Sequence, residues 1–220
     1  MCLILLAWRT HAEYPLVVAA NRDEFHARAA QPARFWRDHP QILAGRDLEA
    51  MGTWMGVSRS GGFAAVTNYR GALEPKAAES RGALVTGFLV DEIAPAKYLA
   101  DITRRSSSYS GFNLLACDGE ELWWMSNRDG APRRLDPGVY GLGNLLLDSA
   151  EVDTQKARFR EAEKAVEPLF SVLGEARIVN PQYGTRCSTV LLRTARGAMA
   201  FAERSFDAGG GEGDTLRYEL

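Results

Sequence analysis

The segments Met1-Cys2-Leu3-Ile4-Leu5-Leu6-Ala7-Trp8 and Leu16-Val17-Val18-Ala19-Ala20-Asn21-Arg22-Asp23-Glu24 decide the fold of this chain. Two apolar runs, residues 3–8 and residues 16–20, are too short for stable helices, and a mostly polar stretch separates them. This pattern predicts a β-hairpin. Folding the hairpin about the middle of its loop brings Cys2 beside Asn21, Arg22 and Asp23. The sequence therefore predicts a thiol close to a guanidinium and a carboxylate, which is an active-site arrangement.

Cys2 directly follows the initiator methionine, and its small side chain permits the removal of Met1. Cys2 would then carry a thiol and a free α-amine, whose unperturbed pKa values are about 8.5 and about 7.7–8.0. The amine can accept the thiol proton, directly or through one water, as in N-terminal-nucleophile enzymes. We expect Arg22 to favour the thiolate and thus to lower the thiol pKa. We expect Asp23 to orient the amine.

Two ordinary interpretations compete with the catalytic one. A cysteine is often a small buried apolar residue, and an Arg-Asp pair at the end of a strand is often a solvated turn. Position two, the hairpin geometry and the polar residues 21–24 favour an active site.

The composition excludes several classes of protein. A chain of 220 residues that is 46% hydrophobic can bury a sizeable core, and we expect a single domain over residues 1–220. The net charge of −2 argues against a nucleic-acid partner. Three widely spaced cysteines form neither a disulfide framework nor a zinc pattern, and they indicate a reducing compartment. We see no signal peptide and no apolar stretch of about 20 residues. The sequence predicts a soluble, cytoplasmic protein without integral membrane association.

The remaining chain alternates hairpins with helices. Residues 25–48 lack a clear period and are interpreted as a long surface excursion, often a lid or binding loop. A strand ending near Asn68 closes a second hairpin. Consecutive hairpins joined by helices predict antiparallel sheets with helices packed outside, an α+β arrangement. We expect strands at 52–58, 63–70, 112–117, 122–125, 188–192, 199–203 and 215–218, a bent strand or turn at 139–147, and helices at 83–92, 96–102 and 152–173.

Several short motifs, taken together and in order, resemble the NRDE family, also called the transport and Golgi organisation protein two family. The resemblance covers essentially the whole chain, and the tetrapeptide after the first hairpin gives the family its name. The motifs are Met1-Cys2, Asn21-Arg22-Asp23-Glu24, Ala44-Gly45-Arg46-Asp47, Gly52-Thr53-Trp54, Val66-Thr67-Asn68-Tyr69-Arg70, Ser80-Arg81-Gly82, Gly111-Phe112-Asn113-Leu114, Gly141-Leu142-Gly143-Asn144 and Tyr183-Gly184-Thr185-Arg186-Cys187-Ser188-Thr189.

The resemblance implies an N-terminal-nucleophile fold, an αββα sandwich of two antiparallel sheets between helix layers. Within the N-terminal-nucleophile superfamily, the family resembles in its chemistry the bile-salt hydrolases and penicillin V acylases, which cleave amides with an N-terminal cysteine. The implied catalytic residues are Cys2 as nucleophile, Arg22 and Asp23 as its supports, Asn68 and Asn144 for the oxyanion or the amine, and Arg186 as a later arginine. The implied substrate-binding residues are Asn21, Glu24, Trp54 and Tyr69.

The sequence departs from the pattern of those hydrolases at one point that affects the mechanism. They space their arginine and aspartate three residues apart, whereas Arg22 and Asp23 are adjacent here. Adjacent strand residues point to opposite faces, so both reach Cys2 only if the strand has already ended. In addition, Cys187 replaces a serine that is frequent in the family.

Other candidates for chemistry are weaker. His11, His26 and His39 have no metal-ligand spacing and are interpreted as surface residues, and no metal site is expected. Cys117 lies in an apolar strand and is interpreted as inert packing. Cys187, beside Arg186, is a minor candidate for a reactive thiol.

Two functional hypotheses follow. The first is a cysteine N-terminal-nucleophile amidohydrolase that acts on a small, partly apolar amide and thus on non-peptide C–N bonds, with no required cofactor. The second is a non-catalytic carrier in which the mouth around Cys2 and Arg22 binds an amphipathic ligand such as haem or an acyl-CoA. The family resemblance implies roles in haem trafficking and lipid homeostasis. A scaffold role is a distant third.

Overall fold

The computed structural model describes residues 2–71 and 77–220. They form two compact units: unit 1 comprises the chain up to Arg28 together with Pro137–Leu220, and unit 2 comprises Ala29–Asp136. Each unit has one antiparallel sheet and two α-helices. The predicted α+β class is thereby confirmed. The single domain over residues 1–220 stays a prediction, and Met1, whose removal we expect, lies outside the described residues.

Unit 1 contains a six-stranded sheet in the order β10-β1-β2-β11-β12-β13. All neighbouring strands in it are antiparallel. Its elements are β1 (Leu3–Trp8), β2 (Leu16–Phe25), β10 (Gly138–Leu142), α3 (Asp153–Glu161), α4 (Val166–Gly174), β11 (Tyr183–Arg193), β12 (Met199–Phe206) and β13 (Glu212–Glu219).

Unit 2 contains a seven-stranded antiparallel sheet whose spatial order, β3-β4-β5-β6-β7-β8-β9, follows the chain. Its elements are β3 (Ala30–Phe35), β4 (Ile42–Asp47), β5 (Met55–Ser58), β6 (Phe63–Asn68), α1 (Gly82–Asp91), α2 (Pro95–Arg104), β7 (Phe112–Cys117), β8 (Leu122–Ser126) and β9 (Arg133–Arg134). Pro95 opens α2, whose presence at 96–102 was expected, because the first turn of a helix tolerates a residue without an N–H.

The sheet of unit 1 has two faces of different character. Alternate residues of β1 and β2, including Leu3, Leu5 and Val17, pack against α3 and α4 in one apolar core with Phe159 and Leu173. The strand period of two sends the intervening residues to the opposite face. The polar residues near the start of β1 are therefore divided between two faces of the sheet, the one that packs against the helices and the opposite one.

The predicted single helix over residues 152–173 is wrong. Two helices occupy this region, and residues 162–165 separate α3 from α4. Pro168 lies in the first turn of α4. A proline inside a continuous helix removes a hydrogen bond and clashes with the carbonyl four residues before it, so one helix cannot run through this position. The amphipathic stripe is real, but two helices share it.

The interpretation of residues 25–48 as a surface excursion is also wrong. Strand β2 continues through Phe25, and strands β3 and β4 follow it. The pairing of β3 with β4 shifts register between Gln31 and Arg34. This irregularity disrupts the alternation of apolar and polar residues, so the sequence pattern hides the strand.

A polar contact in unit 2 ties the loop after β3 to β4. Arg46 donates two hydrogen bonds of 2.6 Å each to the two carboxylate oxygens of Asp38. The Arg46 guanidinium lies 4.2 Å from the centre of the Trp36 ring, whose Nε1 donates to the Ala44 carbonyl at 3.0 Å. The hydrogen bonds from Arg46 lower the pKa of Asp38 to about 2.

We expect this pair to make stability depend on pH in the acid range. The pKa of Asp38 is lowered in the fold from 3.8 to about 2, so its contribution is present above about pH 4 and is lost as the pH falls toward about 2. Because 49% of the Asp38 side chain is exposed, the effect should be at most about 1 kcal/mol. Urea unfolding of wild type and Asp38→Asn at pH 6 and pH 3 measures it. The two proteins should differ less at pH 3 than at pH 6, because about half of the contribution is lost by pH 3. Asp101→Asn on α2 serves as the control. An equal difference at both pH values contradicts the expectation.

Candidate functional site

Cys2 lies at the edge of unit 1, one residue before β1 begins. The last pair between β1 and β2 joins Leu3 to Asn21. The partly exposed Cys2 thiol donates to the main-chain carbonyl of Asp23 over 3.4 Å, and the Tyr183 hydroxyl donates to the same oxygen over 3.2 Å. The hairpin of β1 and β2 therefore brings Cys2 to residues 21–23, as predicted.

Arg22 occupies the face of the sheet that is opposite to the helices. It pairs with Cys187 of β11 on one side. Continuing the β1–β2 register one residue beyond Leu3 places Cys2 on its other side. Arg22 is only 6% exposed, and its guanidinium lies 3.9 Å from the Glu24 carboxylate. A buried guanidinium thus lies in one transverse row with two cysteines.

Asn21 points to the other face and joins the sheet to α4. Its Nδ2 donates to the Leu173 carbonyl at 2.9 Å, and its Oδ1 accepts a hydrogen bond from the Ser188 hydroxyl at 2.6 Å. Asn21 and Ser188 are both buried. This geometry supports a structural role, although the predicted substrate-binding role stays a prediction.

The Asp23 carboxylate also lies on the helix-bearing face. Its Oδ1 accepts from the Thr185 hydroxyl at 2.6 Å, and Thr185 Oγ1 accepts from the Ile178 main-chain N–H at 2.9 Å. Strand β2 has not ended at Asp23, so the condition for both Arg22 and Asp23 side chains to reach Cys2 from one face is not met. Cys2 instead contacts the main-chain carbonyl of Asp23.

The electrostatics of Cys2 differ from the expectation of a lowered thiol pKa. Burial raises the pKa of the Cys2 thiol, and the negative charge of Asp23 raises it further. A main-chain hydrogen bond with Asp23 and the positive charge of Arg22 act in the opposite direction. Arg22 therefore lowers the pKa of the Cys2 thiol as predicted, but its effect is smaller than the combined effect of burial and Asp23. The thiol needs a base before it can attack.

Cys187 is a buried and protonated thiol. Burial and the neighbouring Glu203 carboxylate raise its pKa well above the ordinary value, while Arg22 and a hydrogen bond from Thr189 oppose the shift. A thiol in this state is a poor nucleophile. The minor prediction that Cys187 is reactive receives no support from this environment.

Glu203 is a residue of the site that the sequence analysis missed. It is 3% exposed on β12 and lies opposite Thr189. A signal was present, because Glu203 follows the apolar run 199–202 and shares its strand face with Phe201. A charged residue at a core-facing position is rare unless it is paired.

Arg186 forms the β-bulge of β11 and fastens the loop that follows β2. The β2–β11 register shifts between Thr185 and Cys187, which leaves Arg186 as the extra residue. Its Nη1 donates to the carbonyls of Phe25 at 3.0 Å, His26 at 3.3 Å and Arg28 at 3.0 Å.

Arg186 also adds to the positive charge near Cys2. Burial and the positive charge of Arg22 lower the pKa of Arg186, while Glu24 acts in the opposite direction. Arg28 lies 3.9 Å from Glu24 as well. The guanidiniums of Arg22 and Arg28 therefore lie beside one carboxylate, and Arg186 is close enough for its charge to interact with the same groups, so this end of the sheet carries excess positive charge.

Asn144 lies in the loop that follows β10, the other neighbour of β1. The β1–β10 register ends at the pair Ile4–Leu142, and counting two residues further sets Asn144 opposite Cys2. The main-chain N–H groups of Asn144 and Leu145 donate to Glu151 Oε1 at 2.8 and 2.9 Å. This clamp holds a buried amide beside the start of β1.

A glycine permits the close packing of this loop. A Cβ on Gly141 would lie 2.6 Å from Cγ2 of Val152. Only glycine lets the short helical turn at Val152 approach β10 so closely, and that turn carries Glu151.

The other predicted site residues, Asn68, Trp54 and Tyr69, belong to unit 2. Asn68 is the exposed last residue of β6, and its strand partner is Phe112. The Trp54 ring lies against Gly45, where a Cβ would come within 2.2 Å of Trp54 Cη2. The Tyr69 N–H donates to the Gly111 carbonyl at 2.9 Å. Their roles beside Cys2 stay predictions.

Within residues 2–71 and 77–220, no three His, Cys, Asp or Glu side chains are grouped in a way that would hold a metal ion. Over the same residues, no helix has the length and apolar character to cross a membrane.

Comparisons with known proteins place the sequence. The family model described as "Transport and Golgi organisation 2" matches residues 1–175. The human "Transport and Golgi organization protein 2 homolog" is 34% identical over 242 residues, which covers 87% of each chain. The Drosophila melanogaster "Transport and Golgi organization protein 2" is 31% identical over 197 residues, covering 81% of this chain and 68% of that protein.

Comparisons with solved structures place the fold. The C2A mutant of a conjugated bile acid hydrolase from Clostridium perfringens has a TM-score of 0.59 at 7% identity, covering 100% of this chain and 92% of that one. A Caenorhabditis elegans N-acylethanolamine-hydrolyzing acid amidase ortholog has a TM-score of 0.56 at 12% identity, covering 87% and 92%. The predicted N-terminal-nucleophile fold class is confirmed. At these identities the likeness concerns the fold alone.

We expect substitution of Asn21 to affect stability and to leave the thiol unchanged. Asn21→Ala removes two buried hydrogen bonds and strands the Leu173 carbonyl, which should cost about 1–3 kcal/mol. Because Asn21 points away from the face of Arg22, the pH profile of Cys2 alkylation by iodoacetamide should not move. Urea unfolding and intact mass measure the two properties, with exposed Asn180→Ala as the control. A changed alkylation profile at unchanged stability would contradict the structural role.

We expect Arg22 to limit the rise of the Cys2 pKa. Arg22→Gln removes a charge that lowers this pKa, so alkylation of Cys2 at pH 7 should slow by about 10-fold, which corresponds to about one pKa unit. Arg28→Gln removes an equal charge that pairs with Glu24, and it should have a smaller effect. Equal slowing in both variants argues that only the general charge of the region matters.

Proposed function

The chain belongs to the transport and Golgi organisation 2 family, and from this premise we propose that it is a cysteine N-terminal-nucleophile amidohydrolase with Cys2 as nucleophile. The observation that carries the proposal is the position of Cys2, a partly exposed residue one position before β1, whose thiol contacts the Asp23 carbonyl and which the strand register sets beside Arg22. The fold is shared with two amide hydrolases, one of which was solved as its C2A mutant.

The proposed reaction begins with the exposure of the α-amine of Cys2. Removal of Met1 frees this amine, which takes the thiol proton directly or through one water. The sulfur attacks the carbonyl carbon of a small, partly apolar amide, and the carbonyl π electrons move to oxygen. Arg22 favours the developing thiolate. The raised pKa of the Cys2 thiol is the reason that a base attached to the same residue is required.

The tetrahedral intermediate then collapses. The amide group of Asn144, in the same unit as Cys2, is the proposed oxyanion donor, and a single such donor typically contributes about 3–4 kcal/mol. The role that the resemblance implies for Asn68 stays a prediction. The C–N bond breaks, and the α-ammonium returns its proton to the leaving amine. Water, deprotonated by the same α-amine, attacks the carbonyl carbon of the Cys2 thioester. The C–S bond breaks, the acid is released, and the α-ammonium returns its proton to the sulfur. The adjacent charges of Arg28 and Arg186, with Glu24, would orient the polar part of the substrate.

The test is mass spectrometry of the intact protein with a panel of activated amides and β-lactams. We expect a mass that lacks Met1 and an acyl adduct that maps to Cys2. Cys2→Ala should give no adduct, whereas Cys117→Ser should give as much as the wild type, because Cys117 is buried in β7.

A matched control separates the role of the amine from that of the thiol. Inserting a lysine between Met1 and Cys2 keeps the thiol but blocks the free amine on Cys2, and the adduct should decrease by at least about 100-fold, the lower range for loss of general-base catalysis. Retention of Met1 in the native protein, or an equal yield from the inserted chain, would rule out the proposed mechanism.

A second candidate function is a non-catalytic carrier of haem or an acyl-CoA. Two observations favour it: the pKa of the Cys2 thiol is raised, and the guanidiniums of Arg22 and Arg28 lie beside Glu24, with the charge of Arg186 nearby. Such a cluster suits the carboxylates or phosphates of an amphipathic anion. Titration of haem and of palmitoyl-CoA into wild type and Cys2→Ala distinguishes the functions. Binding that survives the substitution, without any trapped thioester, favours the carrier.

We also propose that the protein acts in a reducing, cytoplasmic compartment. The free state of Cys2, Cys117 and Cys187 supports this location.

A further inference from the structure

Glu203 is a buried carboxylate for which the proposed reaction has no use. It lies on β12 opposite Thr189, and the strand period places it on the same face as Arg22 and Cys187. Only 3% of Glu203 is exposed. A carboxylate in such a position is costly unless hydrogen bonds and an opposite charge compensate it. Its surroundings therefore need an explanation.

Cys187 connects Glu203 to Arg22. The Cys187 thiol hydrogen-bonds with the Glu203 carboxylate, and Thr189 hydrogen-bonds with the sulfur. Arg22 pairs with Cys187 across β2 and β11, and its charge acts on the same thiol. In the register, Cys187 faces Ser205 on β12, and Glu203, two residues before Ser205 on the same face, reaches the Cys187 thiol diagonally. The line of interacting groups therefore runs from Glu203 through Cys187 and Arg22 to Cys2. An anion and a cation, both buried, lie on either side of a neutral thiol.

We propose that Glu203 is a positioning residue that, through Cys187 and Arg22, limits how strongly Arg22 favours the Cys2 thiolate. The proposal deepens the proposed function, on which it rests, by naming how the nucleophile is regulated. An Arg22 charge without this balance would increase the fraction of Cys2 that is thiolate and therefore its exposure to oxidation. With the balance, the thiol keeps its proton until the amine removes it.

Other charged groups also face this line, and they stay constant in the test. Asp23 raises the pKa of Cys2, Glu24 lies 3.9 Å from Arg22, and Arg186 is close enough to Arg22 for the two charges to repel. Because these groups are the same in wild type and in the variants below, a change in the pH profile of Cys2 alkylation is due to the substitution at Glu203 or Cys187.

The first measurement is the rate of Cys2 alkylation by iodoacetamide from pH 5 to pH 10, followed by peptide mass. We call the pH at which the alkylation rate reaches half of its maximum the half-point. Glu203→Gln removes the balancing charge, so the half-point should fall by about 0.5 pH units, less than the shift of about 1–3 pKa units that a charge in direct contact produces. Glu203→Asp keeps the charge and should restore the wild-type profile. Glu212→Gln, an exposed residue of β13, is the matched control and should not change it.

The second measurement predicts a shift of the opposite sign. Cys187→Ala removes the thiol that holds the Glu203 carboxylate, so the carboxylate turns to Arg22 and draws the guanidinium away from Cys2. The half-point should then move to higher pH. This variant replaces a buried thiol by a smaller apolar group, and it tests the same line even if Glu203→Gln does not fold.

The outcomes are distinct. A half-point that does not change or that rises in Glu203→Gln overturns the inference, as does an unchanged or lower half-point in Cys187→Ala. Movement of both variants in the same direction indicates general loosening of the sheet and also overturns it. No substrate is used, so opposite shifts with no trapped thioester would support the regulation of Cys2 and reject the hydrolase. A trapped thioester without these shifts would do the reverse.

Discussion

Cys2 precedes β1 by one residue, and the antiparallel pairing of β1, β2 and β11 determines which groups it meets. The pair Leu3–Asn21 fixes the register of the first two strands, and the pair Arg22–Cys187 fixes the next. A slip of one residue in either pairing would send every side chain to the other face. The apolar core beneath the sheet opposes such a slip, because Leu5 and Val17 would then leave the helices. The packing of the apolar core therefore fixes which side chains lie next to Cys2.

The same alternation gives the tetrapeptide at residues 21–24 two separate tasks. Asn21 and Asp23 point to the helices and make buried hydrogen bonds to Ser188 and Thr185. Arg22 and Glu24 have the opposite parity and form the charged end of the sheet. Four adjacent polar residues thus serve both as an anchor and as a site. A strand that lost its anchor would also displace its charges, so the two tasks are physically coupled.

Much of this arrangement could be predicted from the sequence, and the remainder could not for identifiable reasons. The first hairpin, the α+β class and the approach of Cys2 to Arg22 follow from local apolar patterns. The assignment of β11 residues to the two faces of the sheet does not follow from these patterns, because the bulge at Arg186 changes which residues of β11 lie on the same face. Counting alternate residues without the bulge would pair Thr185 with Glu24 instead of Asp23. Glu203 was missed for a related reason: its partner lies on a neighbouring strand, and only the register of β11 with β12 shows that they meet.

The charges of unit 1 also explain why the position of Cys2 in the chain matters. Burial and Asp23 hold the proton on its thiol, against the influence of Arg22. A cysteine in the same surroundings but inside the chain would have no α-amine and would remain a weak nucleophile. Placing it directly after Met1 adds a base whose ordinary pKa is about 7.7–8.0, attached to the nucleophile itself. In the proposed mechanism, the reactivity of the site then depends on the removal of Met1, whereas the guanidiniums of Arg22 and Arg28 lie beside Glu24 before and after that step. The proposed carrier function is therefore compatible with either state, and the proposed hydrolase only with the processed one.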